Sequence, residues 1–311
     1  MSGSAAPALP APGAAAGTGR GVALFLLALL CFAGYDAFAK AMVARHPPAL
    51  VNLSRYIAVS GIALAWLLQA RNLRPWRQPH QGLLLLRSVM LAITATSFMT
   101  ALVTMPLAEA TAIYFAAPLV MVALSPWLLG EQPTRRQWAA VLAGFAGMLL
   151  IVRPGSALPL AGTALMAVAA LCYALFQVLT RKLSGRVAPS TQFAYMASLC
   201  LVITYLPALL GPPPAWPGWP AMALLLAGGV LSGMAQLLLL AAFRRAPLAT
   251  LAPLNYLQLL LAVLISSFWF QRPPDGLALA GMAVIAVAGV SLARAARRPG
   301  AASGANHTPP R

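Results

Sequence analysis

The sequence predicts an all-α membrane protein of ten transmembrane helices, arranged as two inverted five-helix repeats. Three observations predict it. The chain of 311 residues is 61% hydrophobic and only 8% charged, whereas a soluble domain carries about a quarter charged residues. Its apolar runs have about the 20-residue length that spans a hydrocarbon core of roughly 30 Å. The sequence also matches itself at a single shift of 141 residues.

The runs fall at about 21–43, 49–70, 82–102, 106–129, 137–152, 160–180, 190–210, 219–242, 247–270 and 277–295. Proline and glycine punctuate the breaks, as at His46-Pro47-Pro48, Arg153-Pro154-Gly155 and Arg272-Pro273-Pro274, where helices cannot continue. Pro118 and Pro253 instead lie inside runs. Each frees a carbonyl at membrane depth, which is tolerated where a helix lines protein or water. Residues 1–19 are uncharged and rich in Ala, Gly, Pro and Ser, and residues 297–311, beyond Arg297, Arg298 and the final Arg311, have a similar composition. Both are expected to be disordered tails.

At the shift of 141, Gly21–Ala33 falls on Gly162–Ala174, with Cys31 on Cys172. Lys40 falls on Arg181, Pro106-Leu107-Ala108 on Pro247-Leu248-Ala249, and Val122, Ser125 and Pro133 on Val263, Ser266 and Pro274. One ungapped offset across separate helices defines two repeats, 20–155 and 156–296. The first run, with Ala37-Phe38-Ala39 near its end, could pass for a cleaved signal peptide, but cleavage would destroy half of a matched pair. Five helices is an odd number, so the second repeat enters from the opposite side, the plan of many secondary transporters.

Lys and Arg then set the orientation. The N-terminal side receives Arg20, Arg71, Arg74, Arg77, Arg87, Arg135, Arg136, Arg181, Lys182, Arg186, Arg244, Arg245, Arg294, Arg297, Arg298 and Arg311. The other side receives Lys40, Arg45, Arg153 and Arg272, and Arg55 lies within a helix. Both termini are therefore expected in the cytoplasm and the protein in the inner membrane. The formal net charge of +17 is spread in ones, twos and threes between apolar runs. It is not a basic patch interleaved with aromatics, which argues against nucleic acid. Three cysteines inside apolar runs and no Cys/His spacing predict neither disulfide framework nor metal site, and no cofactor is expected.

The stretch PLAEATAIYFAAPLVMVALSPWLLGEQPTRRQWAAVLAGFAGMLLIVRPG at 106–155 resembles the EamA-type family of drug/metabolite transporters, and the resemblance extends over residues 20 to about 296. Pro118, Leu129-Gly130-Glu131 and the small-residue fifth helix carry it. Asp36 and Lys40 followed by Arg55 resemble a subgroup of S-adenosylmethionine, riboflavin and opine-metallophore carriers. Gln271-Arg272 departs from the Gly-Glu that the family often repeats after its ninth helix. The resemblance implies a central cavity, lined by helices 1, 3, 4, 6, 8 and 9, and export more often than import.

Four acids serve ten helices, and charge at membrane depth marks function. Asp36 and Lys40 share a helix face at i,i+4, and Arg55 enters from the same side. The three read either as a gate or site for a zwitterion, or as an ion cluster that neutralises itself. Glu109 reads as a partner of the helix-4 dipole or, with Asp36, as a proton-coupling group. Glu131 is expected to pair with Arg135 and Arg136, and Asp275 to cap helix 10. The polar and aromatic set Tyr35, Ser97, Tyr114, Phe176, Gln177, Gln236, Asn255, Tyr256 and Gln258 is the candidate pocket. Asp36 falls on Gln177 and Tyr114 on Asn255 at the shift of 141, although interhelical hydrogen bonding would use the same residues. Gly144-xx-Gly147 and Gly229-xxx-Gly233 are read as packing.

The expected function is secondary transport of a small polar or zwitterionic metabolite, by alternating access with proton coupling or exchange. No Walker A motif is present, and no helix carries His, HExxH or GxSxG. An intramembrane enzyme is therefore disfavoured, and a lipid or lipid-linked sugar flippase is the main alternative. Expected partners are the metabolite, the bilayer and, as a homodimer, a second copy of the chain.

Overall fold

A computed structural model describes residues 12–69, 80–130, 133–152, 158–183, 186–210, 217–243, 245–246 and 251–295. Ten helical segments run through them: α1 Pro12–Val43, α2 Pro48–Gln69, α3 Gln81–Thr104, α4 Leu107–Tyr114 continued as Ala117–Leu129, α5 Arg135–Val152, α6 Leu160–Leu183, α7 Pro189–Leu210, α8 Trp219–Phe243, α9 Leu257–Phe268 behind a 3-10 segment Ala252–Tyr256, and α10 Gly276–Ala295. The described residues contain no strand. Seven of the helices are long and apolar enough to cross a membrane, and Leu254–Phe268 and Gly276–Ser291 are shorter apolar helices. The protein is a multi-pass membrane protein, and its surface agrees. Leu160, Trp127, Trp219 and Trp269 are 77–84% exposed, with the tryptophans near helix ends, where aromatic side chains anchor a span at the lipid–water boundary.

The structure carries α1 back to Pro12, into the segment expected to be disordered. Proline is at home in a first helical turn, and Ala14, Ala15 and Ala16 follow it, the best helix former three times over. The apolar run begins only at Gly21, so α1 outlasts its hydrophobic length. The rest of the expected tails, 1–11 and 297–311, lies outside the described residues.

Helix α4 breaks at Phe115-Ala116 and restarts with Pro118 in its first turn. The broken ladder is patched by tight turns: Ala116 N–H donates to the Ile113 carbonyl at 3.1 Å and Leu119 N–H to the Ala116 carbonyl at 2.9 Å. In α9 the 3-10 segment gives way to α-helix between Tyr256 and Leu257. At the repeat shift, Phe115 corresponds to Tyr256, so the regular α-helix is interrupted at corresponding places in both halves. Gly130 ends α4 in the left-handed region at φ 69°, donating its N–H to the Ser125 carbonyl, a conformation glycine adopts without cost.

The most extensive packing joins one half of the chain to the other: α3 with α6, α5 with α10, α1 with α8, α2 with α7 and α8, and α3 with α7. Exchanging the halves, α1 for α6, α2 for α7 and so on, maps this set onto itself. Small residues allow the close approaches. A Cβ on Gly147 would lie 2.7 Å from the Gly281 carbonyl oxygen, and one on Gly229 would lie 2.9 Å from the Arg55 Cα. Gly144 and Gly233 abut Leu119 and Ile62. The largest buried cluster gathers Tyr35, Met99, Leu102, Ile113, Leu225 and neighbours, between α1, α3, α4 and α8.

Candidate functional site

Two polar bridges cross between the halves at the core. Gln258 Nε2 of α9 donates to Asp36 Oδ2 of α1 at 3.0 Å, and Arg55 Nε of α2 donates to Ser232 Oγ of α8 at 2.9 Å. Gly229, one turn before Ser232, lets α8 close onto α2 where Arg55 emerges. The guanidinium carbon of Arg55 lies 4.7 Å from the Tyr35 ring centre and 5.5 Å from that of Tyr56. Flat cations are attracted to such ring faces. Asp36 and Arg55 feel each other's charge, and Tyr114 lies within reach of both. Among the described residues, the direct hydrogen-bond partners of the two ions are nevertheless neutral. The acid and the base thus each have a neutral hydrogen-bond partner on the opposite half of the chain.

From this centre an aromatic series leads toward the N-terminal side of the molecule. Tyr114 packs edge-on against Phe98 at 5.5 Å and meets Tyr173 at 4.8 Å between ring centres. Tyr173 stacks on Phe176 at 5.8 Å. Arg87 lies over Phe176 at 4.4 Å. The series ends at a cavity of about 600 Å³ whose walls include Trp66, Arg87, Thr180, Gln192, Phe193 and Gln236. A smaller cavity of about 340 Å³ opens on the far side, against Lys40, Thr104, Pro106, Ser266, Phe270 and Arg272.

The candidate residues therefore separate. Tyr35, Asp36, Arg55, Tyr114 and Gln258 come together, but Lys40 leaves Asp36 for another helix. Its Nζ donates to the carbonyl oxygens of Leu102 and Met105 at the end of α3, at 2.6 and 2.8 Å. The i,i+4 spacing puts both charges on one face, and the free carbonyls of the α3 terminus are what that face meets one turn on. Gln236 lines the cavity on the N-terminal side, and Phe176 lies behind it, beneath the Arg87 guanidinium. Gln177 is exposed and donates to the Tyr173 hydroxyl at 3.4 Å. Ser97 is buried in α3, Asn255 is half-buried in the 3-10 segment, and Tyr256 packs edge-on against Phe115 at 5.9 Å and against the bare backbone of Gly289. Glu109 is 8% exposed in the first turn of α4, with Oε2 unpartnered. That position suits a helix-dipole partner. Asp275 Oδ1 accepts the Ala278 N–H at 2.8 Å, as an N-cap does. Glu131 lies outside the described residues. The free cysteines Cys31, Cys172 and Cys200 lie within helices, and no group of three metal-ligating side chains occurs among the described residues.

Arg87 and Tyr173 are the residues that sequence reasoning misses. The charge tally treats Arg87 as an orientation charge, yet it is the sixth residue of the run 82–102 and only 6% exposed. Its depth in the run is the available signal. Tyr173 falls on Phe32 at the shift of 141 and has no polar match to single it out.

A model of the EamA-like transporter family matches residues 19–153 and again 160–294. A riboflavin transporter of Rhizobium johnstonii is 30% identical over 221 residues, 71% of this chain and 70% of that protein. An S-adenosylmethionine uptake transporter of Rickettsia bellii is 25% identical, covering 85% of this chain and 90% of the relative. The pseudopaline exporter CntI of Pseudomonas aeruginosa is 27% identical, covering 88% and 96%. A solved crystal structure overlays with a TM-score of 0.64 at 22% identity, covering 89% of this chain and 99% of the other. With two family matches in tandem over most of its length, this chain belongs to the EamA-like transporter family: it is a membrane transporter of small metabolites and not an enzyme.

Proposed function

We propose that the chain is a secondary exporter of a small polar or zwitterionic metabolite, working by alternating access between two inverted five-helix repeats. The observation that carries this reading is the pair of bridges Asp36–Gln258 and Arg55–Ser232. Each ties a charged side chain of one half to a neutral one of the other. A zwitterion offers Asp36 a cationic group and Arg55 an anionic one, so its binding competes with both bridges and loosens the seam between the halves. Rocking of one half against the other moves the site from one side to the other. The matching interruptions of α4 and α9 support this, since discontinuous helices flank the midplane sites of such carriers.

The reading of direction rests on the cavities and the charge bias. The larger cavity lies on the N-terminal side, which the Lys/Arg excess favours as cytoplasmic, and it supports loading from inside the cell across the inner membrane. Coupling is by protons or exchange, with Asp36 as the first proton carrier and Glu109 as the second.

The test is uptake of labelled S-adenosylmethionine, riboflavin and pseudopaline into inside-out and right-side-out vesicles, with and without a pH gradient. Accumulation of at least one in inside-out vesicles is expected. Asp36→Asn should lower its rate by about tenfold or more, an interaction of roughly 1.4 kcal/mol, with unchanged membrane expression. Lipid scrambling without metabolite movement would overturn the proposal in favour of a flippase.

A further inference from the structure

A buried arginine whose partners are all neutral is costly unless something supplies the missing charge. Among the described residues, Arg87 is held in this way. Its Nε donates to Thr180 Oγ1 at 2.7 Å, one terminal nitrogen donates to the Gln192 carbonyl at 3.2 Å, and its plane covers the Phe176 ring. Thr180 is itself fixed, because its hydroxyl donates to the Phe176 carbonyl at 2.7 Å. Gln192 is fixed too, its Nε2 donating to the Val187 carbonyl at 3.0 Å. The arginine is thus held rigid by α6 and α7 at the wall of the 600 Å³ cavity, a volume in the range that holds a metabolite. Arg186 adds a second cation to the same wall, and Trp66 and Phe193, 5.8 Å apart, supply ring faces.

We propose that this cavity is a binding station for an organic anion, distinct from the Asp36–Arg55 centre, in which Arg87 takes the carboxylate of an aromatic metabolite while its ring stacks against Trp66 and Phe193. A guanidinium is a rigid, planar donor suited to a carboxylate, and with Nε and one terminal nitrogen donating to α6 and α7, the remaining N–H groups are those left for a ligand. The aromatic series Phe176–Tyr173–Tyr114 links the station to the centre between the halves.

The test measures binding without transport, so it stands or falls apart from the exporter reading. Isothermal titration of the full chain in neutral detergent would compare indole-3-acetate with indole-3-acetamide, which share a shape and differ in charge. The wild type is expected to bind the carboxylate about tenfold more tightly or better. Arg87→Gln should remove that preference while leaving the amide unchanged, and Arg87→Lys should keep part of it. Thr180→Val, which unclamps Nε, should weaken the carboxylate selectively and serves if Arg87→Gln does not remain monodisperse. Equal binding of the two probes, binding of neither, or a preference that survives Arg87→Gln would overturn the proposal. So would Arg87-dependent binding of phosphatidylglycerol in place of indole-3-acetate, which would make the station a lipid headgroup site.

Discussion

Lys40 shows what a single side chain does when lipid surrounds it. Its ammonium caps two carbonyls at the end of α3, where the helix dipole favours a cation. A methionine there would fill similar space and leave both carbonyls without a donor. Lys40→Met should therefore lower stability by about 1–3 kcal/mol, read as a fall in thermal unfolding temperature in detergent, and Lys40→Arg should restore most of it. If Lys40→Met unfolds at the wild-type temperature, Lys40 serves the far-side cavity and not the α3 terminus. Spacing in the sequence places Lys40 beside Asp36 because helical periodicity tells which residues share a face. It does not tell which neighbouring helix ends against that face. The same limit hides the partners of Arg87: its depth in the run marks it as inside the membrane, but not which helices it meets.

At the scale of the helix, sequence is more telling. Pro118 marks the break in α4, and the repeat carries the corresponding change into α9, although no proline stands at the equivalent position there: Pro118 corresponds to Leu259. Gly144 and Gly147 are legible as packing residues, but the partner of Gly147 is not. It is Gly281, offset by 134 residues and not 141, because a repeat offset pairs equivalent positions and does not tell which residues of two helices meet where they pack. At this crossing each glycine abuts the carbonyl oxygen of the other, and backbone cannot yield as a flexible side chain can. Gly147→Leu or Gly281→Leu should thus destabilise the chain by about 1–3 kcal/mol or more, with a lower unfolding temperature. Gly61→Leu, where a Cβ meets open space, should leave that temperature near the wild-type value. Similar unfolding temperatures for all three would show that α5 and α10 separate without cost.

The ten-helix count and the division into halves are legible in run lengths and in the shift of 141. How the halves engage is not, because apolar helices look alike from outside and nothing in hydropathy chooses their partners. The structure interleaves them, and nearly all of the most extensive packing runs between halves. Residues 1–155 and 156–311, expressed as separate chains in one cell, should therefore copurify as a complex, while either alone should be degraded or aggregate. Stable, monodisperse accumulation of one half by itself would contradict this.

That interleaving bears on how the protein is made. A ribosome delivers α1 to α5 to the membrane while Gln258 and Ser232 are still unsynthesised, so Asp36 and Arg55 spend that interval without the partners of the finished fold. Nascent helices carrying such groups at membrane depth must be sheltered by the insertion machinery or by each other until the rest arrives. A stop codon late in the gene would then be read by cellular quality control as a stranded pair of charges in lipid, and the truncated chain would be cleared even though most of its helices had been inserted.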